Sequence, residues 1–260
     1  MPSFLGKVIL ITGASSGIGA ETAVEFASSG CGGLALVGRN KEGLDSVCTK
    51  CKDKGVPADK VLAIVADLTK EEDVNRIMES AIKHFGQLDV LINNAGTGGL
   101  KRIGEEGIME VYDRVLQVNV RALVQLTHLA VPYLLATKGN VVNVSSICAT
   151  RTLPMAVPYN MSKTAVHQFT KCAALELASK QVRVNAVSPG SILTPIHERS
   201  GRSDAVIETA KQVHAMGRIG ESEEVAKVIL FLASDDASFM TGVAVPVDGG
   251  RHAMCPALDE

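Results

Sequence analysis

Three side chains in the second half of the chain could together move a proton to and from an oxygen: Ser146, Tyr159 and Lys163. A free tyrosine titrates near ~10 and is a poor acid or base at neutral pH. A cation close by favours its phenolate and lowers that value. Lys163 follows Tyr159 by four positions, the spacing that puts two side chains on one face of a helix. Ser146 closes an apolar stretch and offers a hydroxyl to a substrate oxygen. Such a set suits a reaction in which negative charge builds on a carbonyl oxygen as a hydride arrives and a proton must follow. Taken alone, Tyr159 and Lys163 would describe an exposed helical pair equally well.

A second constellation lies near the N-terminus, in Thr12-Gly13-Ala14-Ser15-Ser16-Gly17-Ile18-Gly19. Glycines between a strand and a helix let the backbone approach a pyrophosphate, and the helix start presents N–H groups and a positive dipole end to it. The spacing is G-x3-G-x-G rather than G-x-G-x-x-G, so the turn needs support from elsewhere. Gly13 to Gly17 also fit G-x-S-x-G, with Ser15 as a hydrolase nucleophile. The position after the first strand and the lack of an HGGG-type oxyanion motif argue against that.

The elements that must hold these residues are legible as apolar segments alternating with helical ones. Strands are expected at 7–12, 34–38, 61–67, 88–96, 140–146, 182–190 and 243–250, and helices at 17–29, 41–53, 71–84, 105–137, 157–179 and 222–233. The strands are continuously apolar, which marks a parallel sheet covered on both faces. The expectation is one Rossmann-type α/β domain over 1–260, a doubly wound seven-stranded parallel sheet with helices on both faces. The stretch 191–221 is weakly patterned and is expected to be a substrate lid.

Composition excludes several classes. The 260 residues are 46% hydrophobic and 21% charged, with a net charge of −2 and a pI near 6.3. Aromatics make up 3% and Trp is absent, which argues against nucleic-acid partners. No stretch reads as a secretory signal or a membrane span, so the cytosol is expected. The six cysteines are irregularly spaced; Cys48 and Cys51 form a C-x2-C without a second half, so neither a disulfide framework nor a metal site is expected. Histidines 128, 167, 197 and 214 read as core, surface or loop residues.

With TGASSGIG, Asn93-Asn94-Ala95-Gly96, Asn119, Ser145-Ser146, Tyr159-Asn160-Met161-Ser162-Lys163, Pro189-Gly190 and Val247-Asp248-Gly249-Gly250, the chain resembles the short-chain dehydrogenase/reductases in order from about 7 to 250. Within them it is similar to β-ketoacyl-carrier-protein reductases and hydroxysteroid dehydrogenases. The resemblance implies that Lys163 also holds the nicotinamide ribose and that Asn119 supports a water-mediated proton path to the lysine. It implies further cofactor contacts at Gly13, Ser15, Ser16, Gly17, Ile18 and Gly19; at Asn94, Ala95 and Gly96, with a structural brace as the alternative role of Asn94; and at Pro189, Gly190, Ile192 and Thr194 around the carboxamide. Asp67 and Leu68 would touch adenine, although Asp67 would equally suit a helix cap.

An acidic residue ending the second strand would bind the adenosine ribose and repel a 2′-phosphate. Gly38 stands there, followed by Arg39, whose guanidinium suits phosphate. NADP(H) is therefore expected ahead of NAD(H), with Arg39, Asn40 and Ser15 around the phosphate, even though Ser16 occupies the place where NADP-preferring relatives often carry a basic residue. The expected substrate is an apolar ketone or alcohol such as a steroid, terpenoid or xenobiotic carbonyl, with a β-ketoacyl thioester as the alternative. A cofactor-binding sensor without turnover is the alternative of another class. A homo-oligomer, tetramer or dimer, is expected by resemblance.

Overall fold

The protein is described by a computed structural model covering residues 3–194 and 203–254, with only the backbone considered at 203–206. Seven strands form one parallel sheet: β1 (Val8–Thr12), β2 (Gly33–Gly38), β3 (Val61–Val65), β4 (Val90–Asn93), β5 (Asn140–Val144), β6 (Arg183–Pro189) and β9 (Ala244–Val247), in the order β3-β2-β1-β4-β5-β6-β9. Chain order runs outward from β1 to one edge, then restarts at β4 on the other side. The carboxyl ends of β1 and β4 therefore flank the switch point where a crevice opens.

Period-two alternation assigns each strand residue to a face. Ile9, Ile11, Leu34, Leu36 and Val142 pack with Phe26 of α1 (Gly17–Ser28), Leu44 of α2 (Lys41–Asp53) and Ile229 of α8 (Ser222–Ala233). Leu10, Val37, Leu91 and Val141 pack on the other side with Ile77 of α3 (Glu71–Phe85), Leu126 of α5 (Ala122–Thr137) and Ala174 of α6 (Val157–Leu177). Both faces are thus sealed, and this is why the strands lack the polar alternation of a half-exposed sheet.

One expectation changes. The segment 105–137 is not one helix: α4 (Ile108–Leu116) runs into a π-helical turn at Gln117–Arg121 before α5, with the Ala122 N–H bonded to the Gln117 carbonyl. The stretch 191–221, expected as a weakly patterned substrate lid, contains regular elements. It carries β7 (Ile192–Leu193), α7 (Ser203–Val213) and β8 (Gly220–Glu221), with β7 and β8 paired in parallel. Ala210 buries the inner face of α7. Residues 195–202 of that stretch, with His197, and residues 255–260 lie outside the described residues.

Cys48 and Cys51 point into the core beside Cys31; all three are free, and burial raises their thiols, to about 11 for Cys31 and about 12 for Cys51. No cluster of metal-ligating side chains occurs among the described residues, and none of their helices is long and apolar enough to cross a membrane.

Candidate active site

β5 ends at Val144, so Ser145 and Ser146 emerge at the carboxyl edge of the sheet. The Ser145 N–H still bonds to the Val187 carbonyl, and its hydroxyl donates to the Lys163 carbonyl at 3.1 Å, which ties α6 to the strand end. Lys163 is 4% exposed, and its ammonium donates to the Val144 carbonyl at 2.9 Å. It lies 5.6 Å from the centre of the Tyr159 ring, as the spacing of four on α6 requires. Ser146 hydrogen-bonds the Tyr159 hydroxyl and accepts the Cys148 N–H at 3.1 Å.

Asn119 sits buried in the π-helical turn. Its side chain accepts from the Thr97 N–H at 2.8 Å and donates to the Thr97 carbonyl at 2.9 Å and to the Ser162 hydroxyl at 3.0 Å. The extra residue in the turn aims this amide across to α6, where Ser162 bonds in turn to the Tyr159 carbonyl. A methyl group on Gly96 would lie 3.4 Å from Asn119 Oδ1 and 3.5 Å from Lys163 Nζ. The turn after β4 therefore meets the α6 pair at one point.

Burial dominates the electrostatics of the pair. Burial raises the Tyr159 hydroxyl to about 12, with the Ser146 hydrogen bond opposing, and burial lowers Lys163 to about 8. Desolvation is the largest cause of both shifts, and it favours the neutral form of each group. The pair rests as a neutral phenol beside a readily deprotonated amine.

The glycine turn faces the same crevice. Gly13 and Gly17 have φ of 67° and 58°, and a methyl at Gly19 would come within 2.4 Å of the Gly13 carbonyl. Ser16 occupies the cap position of α1 without a side-chain cap bond, and no acidic residue lies in the first turn. An uncapped helix start next to a close-packed glycine turn fits a bound diphosphate. Asn94 braces the turn: its amide donates to the Thr12 and Gly13 carbonyls at 2.8 and 3.2 Å, while Thr12 Oγ1 accepts the N–H groups of Asn94 and Ala95. Thr12 opens the TGASSGIG motif, but the motif alone gave its side chain no role, since a strand threonine also looks like ordinary β-branched filling.

At the end of β2, a Cβ on Gly38 would stand 3.2 Å from the Ser15 side chain and 3.4 Å from Leu44. Arg39 is exposed and pairs with no carboxylate among the described residues. Asn40 caps α2, accepting the Gly43 N–H at 3.1 Å, which leaves its amide NH2 free to face outward. Asp67 does not cap α3, whose cap position is Lys70. Asp67 accepts the Thr69 N–H, and this hydrogen bond lowers its pKa first, with the Arg39 charge contributing. Asp67 and Leu68 are half-buried beside Arg39's end of the crevice.

Beyond β6, the Gly190 N–H bonds to the Val247 carbonyl. The Ile192 side chain packs in the core cluster, and Thr194 is half-buried at the limit of the described segment. In the loop between Ser146 and Tyr159, Met155 has φ of 63° and its carbonyl accepts the Lys101 N–H, a left-handed conformation uncommon for such a side chain.

The family model described as enoyl-(acyl carrier protein) reductase matches residues 13–252. The chain belongs to the short-chain dehydrogenase/reductase family. It is 41% identical to the 3-oxoacyl-[acyl-carrier-protein] reductase FabG of Thermotoga maritima, over 94% of this chain and 97% of that protein. Among solved structures, a short-chain dehydrogenase/reductase of unknown function from Caenorhabditis elegans, determined with cofactor, superposes with a TM-score of 0.91 at 34% identity, over 98% of each chain. The 3-ketoacyl-(acyl-carrier-protein) reductase of Brucella melitensis, complexed with NADH, superposes with a TM-score of 0.87 at 36% identity, over 96% of this chain and all of that one. Membership in this family of nicotinamide-dependent oxidoreductases agrees with a Ser146, Tyr159 and Lys163 cluster at the same sheet edge as an uncapped glycine turn.

Proposed function

We propose that residues 1–260 form one catalytic domain that transfers a hydride between NADP(H) and a carbonyl or secondary alcohol. The observation that carries the reading is the meeting of Ser146, Tyr159, Lys163 and Asn119 at one point of the sheet edge, beside Gly96 and facing the glycine turn. The nicotinamide, when bound, supplies or accepts the hydride. Ser146 holds the substrate oxygen. Tyr159 keeps its proton through the neutral range and donates it to that oxygen, which favours reduction. Lys163 holds the cofactor ribose and returns a proton to the tyrosine, and Asn119 anchors the route by which water reprotonates the lysine.

The preference for NADP(H) over NAD(H) rests on the end of β2. Gly38 carries no carboxylate to bind a ribose or repel a phosphate, a side chain there would crowd Ser15 and Leu44, and the exposed guanidinium of Arg39 is free for a 2′-phosphate. Leu153, Met155 and Met216 border the substrate side, with Met155 and Met216 exposed, which supports an apolar ketone or alcohol of the steroid, terpenoid or xenobiotic kind. The identity to the Thermotoga maritima reductase favours a second reading, a β-ketoacyl thioester. Exposed Met109, Val124 and Leu135 on α4 and α5, with Met161 and Leu175 on α6, support a homo-oligomer through these helices; the expected site of action is the cytosol.

The test is fluorescence titration with NADPH and NADH, then turnover of a panel of neutral ketones and β-ketoacyl thioesters. Tyr159→Phe is expected to bind NADPH as the parent does while losing turnover by about 100-fold or more. Turnover surviving in Tyr159→Phe would refute the acid–base assignment.

A further inference from the structure

His214 is 3% exposed at the junction of three segments. α7 ends just before it, the Gly190–Ser191 turn after β6 lies on one side, and the loop after β9 lies on the other. Each ring nitrogen has one backbone partner. The Ser191 N–H donates to Nε2 at 3.2 Å, and Nδ1 stands 2.7 Å from the Arg218 carbonyl oxygen. An amide N–H can only donate and a carbonyl can only accept, so the ring is neutral with its proton on Nδ1. Two glycines pack closely against it. A methyl on Gly190 would come 2.8 Å from Nε2, and one on Gly249 would come 3.3 Å from the His214 Cβ. The Met216 N–H donates to the Gly249 carbonyl at 3.0 Å and closes the third side.

We infer that His214 is a positioning residue: in its neutral form it locks the Gly190–Ser191 turn to the end of α7, and the lock opens when the ring takes up a proton. The link to cofactor rests on the proposed reading, in which this turn borders the carboxamide. A second proton would sit on Nε2 and face the Ser191 N–H, donor against donor, so one of the two must move away. The ring borders a cavity of about 310 Å³, which gives a proton access.

The charged groups on the surrounding elements are already engaged. From the loop after β9, Asp248 accepts the Gly250 and His252 N–H groups and the His252 ring, and Arg251 reaches the Ser191 hydroxyl at 3.5 Å. From the turn before β8 and from α8, Arg218 and Glu224 bind each other through two contacts, and Glu224 also accepts the Glu221 N–H. Lys211 and Glu208 of α7 pair together. None of these carboxylates is hydrogen-bonded to the His214 ring, whose two partners are backbone groups.

Hydrogen exchange at the Ser191 amide reads the lock without cofactor, after correction for intrinsic exchange. At pH 8, His214→Leu is expected to exchange there about tenfold faster than the parent, while His214→Gln, whose amide oxygen can replace Nε2, stays close to it. Between pH 8 and pH 5 the parent loses protection and His214→Gln does not. NADPH affinity is expected to follow the same pattern; the 2′-phosphate titrates in this range, so the quantity read is the parent relative to His214→Gln. Equal Ser191 protection in His214→Leu and the parent at pH 8, or the same acid response in the parent and His214→Gln, would overturn the lock. A parent that shows the lock by exchange but binds neither NADPH nor NADH would overturn the dinucleotide reading and the cofactor link with it, leaving the lock itself established.

Discussion

Replacing Lys163 with methionine should make the protein inactive and, at neutral pH, no less stable. Lys163 is almost fully buried, and burial holds its amine at about 8 rather than 10.5. Each pKa unit is worth about 1.4 kcal/mol between the protonation states, so keeping the amine charged costs the folded chain about 3 kcal/mol below pH 8. Because the folded pKa is the lower one, the unfolded chain holds more protons between pH 8 and 10.5, and parent stability rises with pH in that window. Methionine fills the path of the lysine stem but offers no donor to the Val144 carbonyl, a loss of about 1–3 kcal/mol. Lys163→Met is therefore expected to range from equal to about 2 kcal/mol more stable at pH 7. By pH 10.5, where the neutral amine still donates to Val144, the variant becomes the less stable protein by about 1–3 kcal/mol. Urea unfolding of both proteins from pH 7 to 10.5, at one protein concentration, reads the difference and cancels every other titrating group. A stability difference that stays constant across this range would refute the account of a charged, desolvated amine.

Arg39→Ala should weaken NADPH binding by about tenfold or more and leave NADH within about twofold, since only one cofactor offers the phosphate; equal losses measured by fluorescence would mean that Arg39 only stacks on adenine. Asn94→Ala removes two bonds that hold the carbonyls of Thr12 and Gly13. It should lower unfolding stability by about 1–3 kcal/mol and weaken both cofactors together, and an unchanged denaturation midpoint would show that the glycine turn holds its shape without the brace.

The sheet was readable because both its faces are covered, which leaves runs such as Val8–Thr12 apolar throughout. Strand ends were overestimated for a physical reason. The stretch 88–96 stays strand-like in sequence, but β4 stops at Asn93 because the next two N–H groups leave the ladder for Thr12 Oγ1. The π-helical turn could not be seen, since inserting one residue shifts a backbone bond while the apolar spacing of 105–137 still looks helical. α7 was missed because, among its described side chains, the buried position before Val213 is the small Ala210, which leaves a weak apolar signal. His214 was illegible for a deeper reason: its partners are two backbone groups, one of them 23 positions away, and no side-chain motif records a backbone partner.

Tyr159 and Lys163 show the difference between spacing and environment most directly. The interval of four correctly places the amine by the ring, and from it one expects the cation to draw the phenol toward its ionised form. Burial acts on the same two atoms with the opposite result, raising the phenol to about 12 and lowering the amine to about 8. A pair tuned by attraction would hold phenolate beside ammonium, ready to remove a proton from an alcohol. A pair tuned by desolvation holds its proton on the tyrosine, with Ser146 as the hydrogen-bond partner that can share a developing oxyanion. On the proposed reading, a protonated Tyr159 can deliver its proton to the substrate oxygen in the neutral range. The desolvation that makes Lys163 a stability burden is thus the same desolvation that keeps Tyr159 an acid.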